Sequence, residues 1–221
     1  MIEELFGAVE QYIEERFATE DEILQDVRRR STEKGLPEIQ ITPVQGKQLQ
    51  LLARAANAER VLELGTLGGY SAIWLARALP STGKLITFEL SVDHAEVARE
   101  NISNAALETV VEVRNSSAME GLRALIDTDT KPFDLIFMDC DKALYLQYFQ
   151  YALRLSRPGT LIIADNVVRE GKILEPDHPE LEVEGVQRLM EYLSTSREVD
   201  ATVLQQVGRK GHDGMLLALV N

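Results

Sequence analysis

The chain has 221 residues, 45 % of them hydrophobic and 27 % charged, with a formal net charge of −13. This is the make-up of one globular domain able to bury a sizeable core, and its acidity repels polyanions on average, so neither nucleic acid nor an anionic membrane is an expected partner. The single cysteine, Cys140, excludes an internal disulfide and a cysteine-built zinc site. It also fits a reducing compartment. No run resembles a membrane span, and Met1-Ile-Glu-Glu-Leu-Phe6 lacks the basic start and apolar core of a signal peptide, so a cytoplasmic location is expected.

Ile2, Leu5, Phe6, Val9, Tyr12, Ile13 and Phe17 recur at three- and four-residue spacing, which predicts an amphipathic helix with a broad apolar face. Thr19 with Glu22 is a capping-box pattern that opens a second helix, and Gly35-Leu36-Pro37 closes it. Thr42-Pro43-Val44-Gln45 repeats the pattern and opens a third helix through Leu52 and Ala56.

The rhythm then alternates. Strands are expected over Val61–Leu64, Lys84–Phe88, Val110–Val113, Phe133–Met138 and Gly159–Ala164, and helices over Ser71–Leu79, Val92–Ala105, Met119–Ile126 and Leu144–Leu155. Such alternation predicts a doubly wound, mostly parallel sheet. After a helix near Val186–Leu193, the runs Thr202–Gln206 and Met215–Val220 are joined by Gly208–Gly214, too short for a crossover helix. The prediction is a seven-stranded α/β sheet with a C-terminal antiparallel hairpin, the arrangement of S-adenosylmethionine-dependent methyltransferases. Residues 1–36 are read as an N-terminal helical extension for capping or dimerisation and 37–221 as the methyltransferase domain.

In an open parallel sheet, ligands bind beyond the carboxyl ends of the strands. Glu63-Leu-Gly65-Thr-Leu-Gly68-Gly69-Tyr-Ser71 follows the first strand, where glycines let the backbone turn and approach a ligand. Its spacing departs from the Gly-x-Gly-x-x-Gly dinucleotide fingerprint, which argues against a nicotinamide dehydrogenase. The next strand ends in Glu89, placed to accept ribose hydroxyls. Two later strands end in Asp139-Cys-Asp141-Lys142 and Asp165-Asn166. Asp139, Asp165 and Asn166 are hard oxygen donors suited to Mg²⁺, Mn²⁺ or Ca²⁺. Near a cation and partly buried, Lys142 is expected to lose ammonium character and take a proton from a hydroxyl.

From Glu38 to Val220 the chain resembles the small, cation-dependent O-methyltransferases, the group of the catechol and caffeoyl-CoA enzymes and many bacterial relatives. The resemblance rests on Ile41-Thr-Pro-Val-Gln-Gly46, Val61–Ser71, Phe137–Lys142, Ala164-Asp-Asn166 and Gly211-His-Asp-Gly214. It implies that Glu63, Gly65, Thr66 and Ser71 line the methionine end of S-adenosylmethionine and that Glu89 holds the ribose. Ala118 would meet the adenine through its backbone, with Ile41, Asp139 and Asp141 completing the pocket. It assigns Asp139, Asp165 and Asn166 to a divalent cation, Mg²⁺ first, and Lys142 to the base. The implied acceptor is a small vicinal diol of catechol, flavonoid or hydroxycinnamate type, and the implied assembly is a homodimer. Leu189-Met190 stands where many relatives carry an aromatic-Asn pair near the metal, and Cys140 where many have Ala. The loop from Arg169 to Glu184 is expected to cover the acceptor site and His94 to lie on the surface, while His212, in the Gly211–Gly214 turn, carries little weight as a neighbour of the acceptor pocket. Transfer RNA methylation by the same fold is the alternative, and a non-enzymatic binding module is disfavoured because it has no need of the acids and Lys142.

Overall fold

The computed structural model describes residues 2–221. Met1 and the side chain of Ile2, the latter part of the predicted apolar stripe, lie outside the described residues. The chain divides into two compact units, residues 13–121 and residues 2–12 with 122–221. Helix α1 (Ile2–Phe17) begins in the second unit and ends in the first.

The unit of residues 13–121 holds helices α2 (Glu22–Glu33) and α3 (Pro43–Ala55), then β1 (Arg60–Leu64), α4 (Tyr70–Ala76), β2 (Lys84–Glu89), α5 (Val92–Asn104) and β3 (Val111–Asn115). Strands β1 and β2 pair in parallel with Glu63 opposite Thr87, and β2 and β3 pair in parallel with Glu89 opposite Asn115. Val61, Leu62 and Leu64 are fully buried, as expected of a strand covered on both faces. The start of α3 carries the full capping box: Thr42 Oγ1 accepts from Gln45 N, and Gln45 Oε1 accepts from Thr42 N at 2.8 Å. The second helix corrects the reading at Thr19. Its N-cap is Asp21, whose Oδ1 accepts from Leu24 N at 3.0 Å, while the Thr19 hydroxyl donates back to Glu15 O at 3.1 Å. A carboxylate acceptor outcompetes a hydroxyl already spent on the preceding turn.

The other unit contains β4 (Leu135–Met138), α7 (Tyr145–Arg154), β5 (Leu161–Ala164), α8 (Leu181–Thr195), β6 (Val199–Gly208) and β7 (Gly211–Val220), preceded by α6 (Ala118–Asp127), which crosses the boundary. Strands β4 and β5 pair in parallel, whereas β7 runs antiparallel to both β5 and β6. The order in the seven-stranded sheet is β3-β2-β1-β4-β5-β7-β6, so the predicted mixed sheet with a terminal hairpin is present. The hairpin is tighter than expected. Most of Gly208–Gly214 is strand, and only Arg209-Lys210 forms the turn between the paired Gly208 and Gly211. Helix α8 likewise begins at Leu181, inside the segment expected to be loop, and a 3₁₀ turn covers Arg169–Leu174.

Within the same unit, Glu10 of α1 is buried and its Oε2 accepts from Arg209 N at 2.7 Å. Leu5 and Val9 stay exposed in the chain, as do Tyr12 and Phe17 further along α1. Among the described residues no helix is long and apolar enough to cross a membrane.

Candidate active site

The turn after β1 is held from both sides of its backbone. Gly69, at φ +82°, starts α4 in a left-handed conformation, which costs a residue with a Cβ roughly 1–2 kcal/mol. Glu89, at the end of β2, accepts through Oε2 from Leu67 N at 2.8 Å and Thr66 N at 3.3 Å, and through Oε1 from Ser91 N at 2.9 Å. Gly68 O accepts from the buried Asn101 Nδ2 at 2.9 Å. The predicted ribose carboxylate thus also shapes the turn, because three N–H groups fix its orientation at the strand end. His94, predicted to be a surface residue, is half-buried, with Nδ1 3.7 Å from Glu89 Oε1.

Beneath the turn lies a buried relay. Thr87 Oγ1 donates to Glu63 Oε2 at 2.6 Å, and Thr66 Oγ1 lies 2.6 Å from Thr87 Oγ1. Since the Thr87 proton goes to Glu63, the Thr66 hydroxyl is the donor to Thr87. All three residues are almost completely inaccessible, and a buried carboxylate needs such donors to stay charged. The structure therefore brings Glu63, Thr66, Gly65 and Glu89 into one continuous arrangement. Ile41 is buried before α3, and Ser71 and Ala118 are half-buried at helix starts.

The acid cluster belongs wholly to the other unit. Lys142 Nζ donates to Asp139 Oδ1 at 2.7 Å, and both side chains are largely buried. The expected loss of ammonium character belongs to a site holding a cation; in this pairing with Asp139 the balance lies the other way. Burial works against the charge, but the Asp139 carboxylate outweighs it and Lys142 sits above its ordinary pKa. Asp165 is buried, and its Oδ1 has no hydrogen-bond partner. Burial, reinforced by the Asp139 charge, pushes its pKa up to about 7. Asn166 follows at φ 57°. The exposed Asp141 accepts from Ala143 N at 3.0 Å and so caps the turn that carries Lys142. Burial raises the Cys140 thiol well above its ordinary pKa, which leaves it unreactive. Among the described residues no three His, Cys, Asp or Glu side chains converge as a metal-holding group; the predicted donor set has two carboxylates and an amide.

Two supports went unread in the sequence. The Tyr145 hydroxyl, fully buried, lies 3.0 Å from Met138 O and 2.9 Å from Asp165 O, bridging the ends of β4 and β5. Helix α8 approaches the Lys142 turn at Gly185, where a Cβ would run into Lys142 O. Leu189 of that helix is buried and Met190 half-buried. His212 is drawn to the hairpin: its Nε2 lies 2.8 Å from Gln205 Oε1.

Reversal of β7 beside β5 distinguishes this sheet from the all-parallel dinucleotide fold, and the strand ends gather a lysine and two carboxylates in one unit. The molecule is an α/β methyltransferase. More specifically, the chain belongs to the O-methyltransferase family, whose model matches residues 14–220. It is 49 % identical over 220 residues to a catechol O-methyltransferase of Niastella koreensis, covering 100 % of both chains. Identity to a catechol O-methyltransferase of Mycobacterium tuberculosis is 41 % over 212 residues, 96 % of this chain and 94 % of that one. The O-methyltransferase from Bacillus cereus, solved in complex with SAH, superposes with a TM-score of 0.97 at 45 % identity over 100 % of both chains.

Proposed function

We propose that the enzyme transfers the methyl group of S-adenosylmethionine to one hydroxyl of a small vicinal diol of catechol type, with a divalent cation at Asp139, Asp165 and Asn166. The observation that carries the reading is the Lys142–Asp139 pair beside Asp165, whose buried Oδ1 has no partner. A buried, unpaired carboxylate oxygen is costly alone and suits a hard cation. When bound, the cation would lower the pKa of a coordinated hydroxyl, and the cofactor would supply the methyl group.

The residues divide the remaining work. The Thr66–Thr87–Glu63 relay fixes the Glu63 carboxyl group beneath the turn, and Glu89 holds that turn and offers lone pairs to ribose hydroxyls. Asp139 keeps Lys142 protonated in the pair described above. With a cation held at Asp139, that carboxylate would no longer favour the ammonium, and burial would favour the neutral amine, its proton released to solvent. The amine accepts the proton of the acceptor hydroxyl at Nζ, leaving the oxygen free to take the methyl group.

The exposed apolar residues of α1 support a second copy of the chain as a partner. The deciding experiment incubates labelled S-adenosylmethionine with catechol, flavonoid and hydroxycinnamate acceptors, with Mg²⁺ and with a chelator. Label should enter a diol with Mg²⁺, vanish with chelator and return with Mg²⁺ or Mn²⁺. Full turnover in chelator would reject the cation, and label in transfer RNA alone would favour the RNA-modifying alternative.

A further inference from the structure

We infer that Asp213 is the positioning residue that holds the Asp165-Asn166 end of β5 in a metal-binding conformation, an inference that rests on the cation reading above. Asp213 stands near the start of β7. Its Oδ1 accepts from Val168 N at 3.0 Å, Arg169 N at 3.0 Å and Gly214 N at 2.8 Å. Val167 N donates to the adjoining Gly214 O at 3.1 Å. The backbone donors of residues 167, 168 and 169, the three that follow Asn166, are thus all tied to Asp213-Gly214.

This matters because the chain there is in an unfavourable conformation. Asn166, Arg169 and Glu170 have φ of 57°, 53° and 58°, a left-handed region that L residues with side chains avoid. Several such residues in a short span persist only when their surroundings over-determine them. A charged acceptor shared by three N–H groups is a strong determinant of that kind. On the other side, Asp165 N donates to Met138 O at 3.0 Å and the Tyr145 hydroxyl reaches Asp165 O. The two donors on Asp165-Asn166 are therefore clamped from before by β4 and α7 and from after by Asp213. With Oδ1 engaged by three amides, Asp213 acts through the backbone. Partners that orient metal ligands in this way typically contribute about 10–100-fold in metal affinity.

The test measures Mn²⁺ binding by electron paramagnetic resonance and SAH binding by calorimetry on the full chain. Asp213→Ala should weaken Mn²⁺ at least tenfold and leave SAH affinity within about twofold, and Asp213→Asn, which keeps an acceptor oxygen, should recover most of the loss. Wild-type Mn²⁺ affinity in Asp213→Ala would overturn the inference, as would equal losses of Mn²⁺ and SAH. Absence of Mn²⁺ binding by the wild-type protein would sink the cation reading and this inference together. Where Asp213→Ala does not fold, hydrogen exchange on the wild-type protein decides. The Val168 and Arg169 amides should exchange more slowly with Mg²⁺ than without it, and equal rates would overturn the role.

Discussion

Thr87 Oγ1 donates to Glu63 Oε2 at 2.6 Å, and the two residues stand opposite each other in the parallel register of β1 and β2. Removing the donor of a buried bond leaves its acceptor unsatisfied, which costs about 1–3 kcal/mol. Thr87→Val keeps the shape and removes the donor, so it should lower stability by an amount of that order and weaken SAH binding, with Thr87→Ser restoring both. Melting curves and calorimetry check this; wild-type values in Thr87→Val would remove the relay from the cofactor site.

Lys142 carries the proton in the proposed chemistry. Lys142→Met removes the amine and keeps much of the apolar stem, so kcat should fall by about 10²–10⁴, the usual span for a lost general base, while SAH affinity changes little. Unchanged turnover in initial-rate assays would take Lys142 out of the mechanism.

Asp165 gives a pH signature. Its folded pKa is raised from 3.8 to about 7, so between those values the folded state binds more protons than the unfolded one at this group. Stability contributed by Asp165 therefore falls as pH rises through that window. In chelator, Asp165→Asn should gain stability relative to wild type from pH 4 to 7 and level off above, with a span of at most about 4 kcal/mol. Mg²⁺ should raise the wild-type melting temperature more at pH 8 than at pH 5. A difference between the two proteins that is flat with pH would refute the assignment.

Self-association is read from α1, where Leu5, Val9 and Tyr12 follow one another at four- and three-residue spacing and are all about half exposed or more. Sedimentation velocity should find a dimer at micromolar concentration, and the double change Leu5→Glu with Val9→Glu should yield monomers. A wild-type monomer under those conditions would dismiss the second copy.

Much of this architecture was legible locally. The alternation of elements, the cap at Thr42 and the strand ends at Glu63, Glu89, Asp139 and Asp165 are short-range signals, and the structure keeps each of them. What escaped depends on distant partners. Thr19 and Asp21 compete for one helix start, and the choice turns on where α1 ends. Gly208–Gly214 reads as linker because glycine and charge suggest a turn, yet pairing with β6 extends the strand. Thr87 is an ordinary strand residue until Glu63 is set opposite it. Asp213 sits 45 residues from one of its amide partners. The charge of Lys142 is not a local signal for a different reason: in the pairing without a cation it follows from which carboxylate the ammonium meets.

Strand β7 lies between β5 and β6 although β6 precedes it in the chain. During synthesis, β5 therefore waits unpaired on one edge until β7 has emerged, and β6 has no neighbour in the sheet until its own hairpin closes. The Asp165-Asn166 turn is tied down by that same late segment. The Asp165-Asn166 end is thus secured only once β7 is in place, whereas the bonds from Glu89 to the turn after β1 are all made within the short span from Thr66 to Ser91.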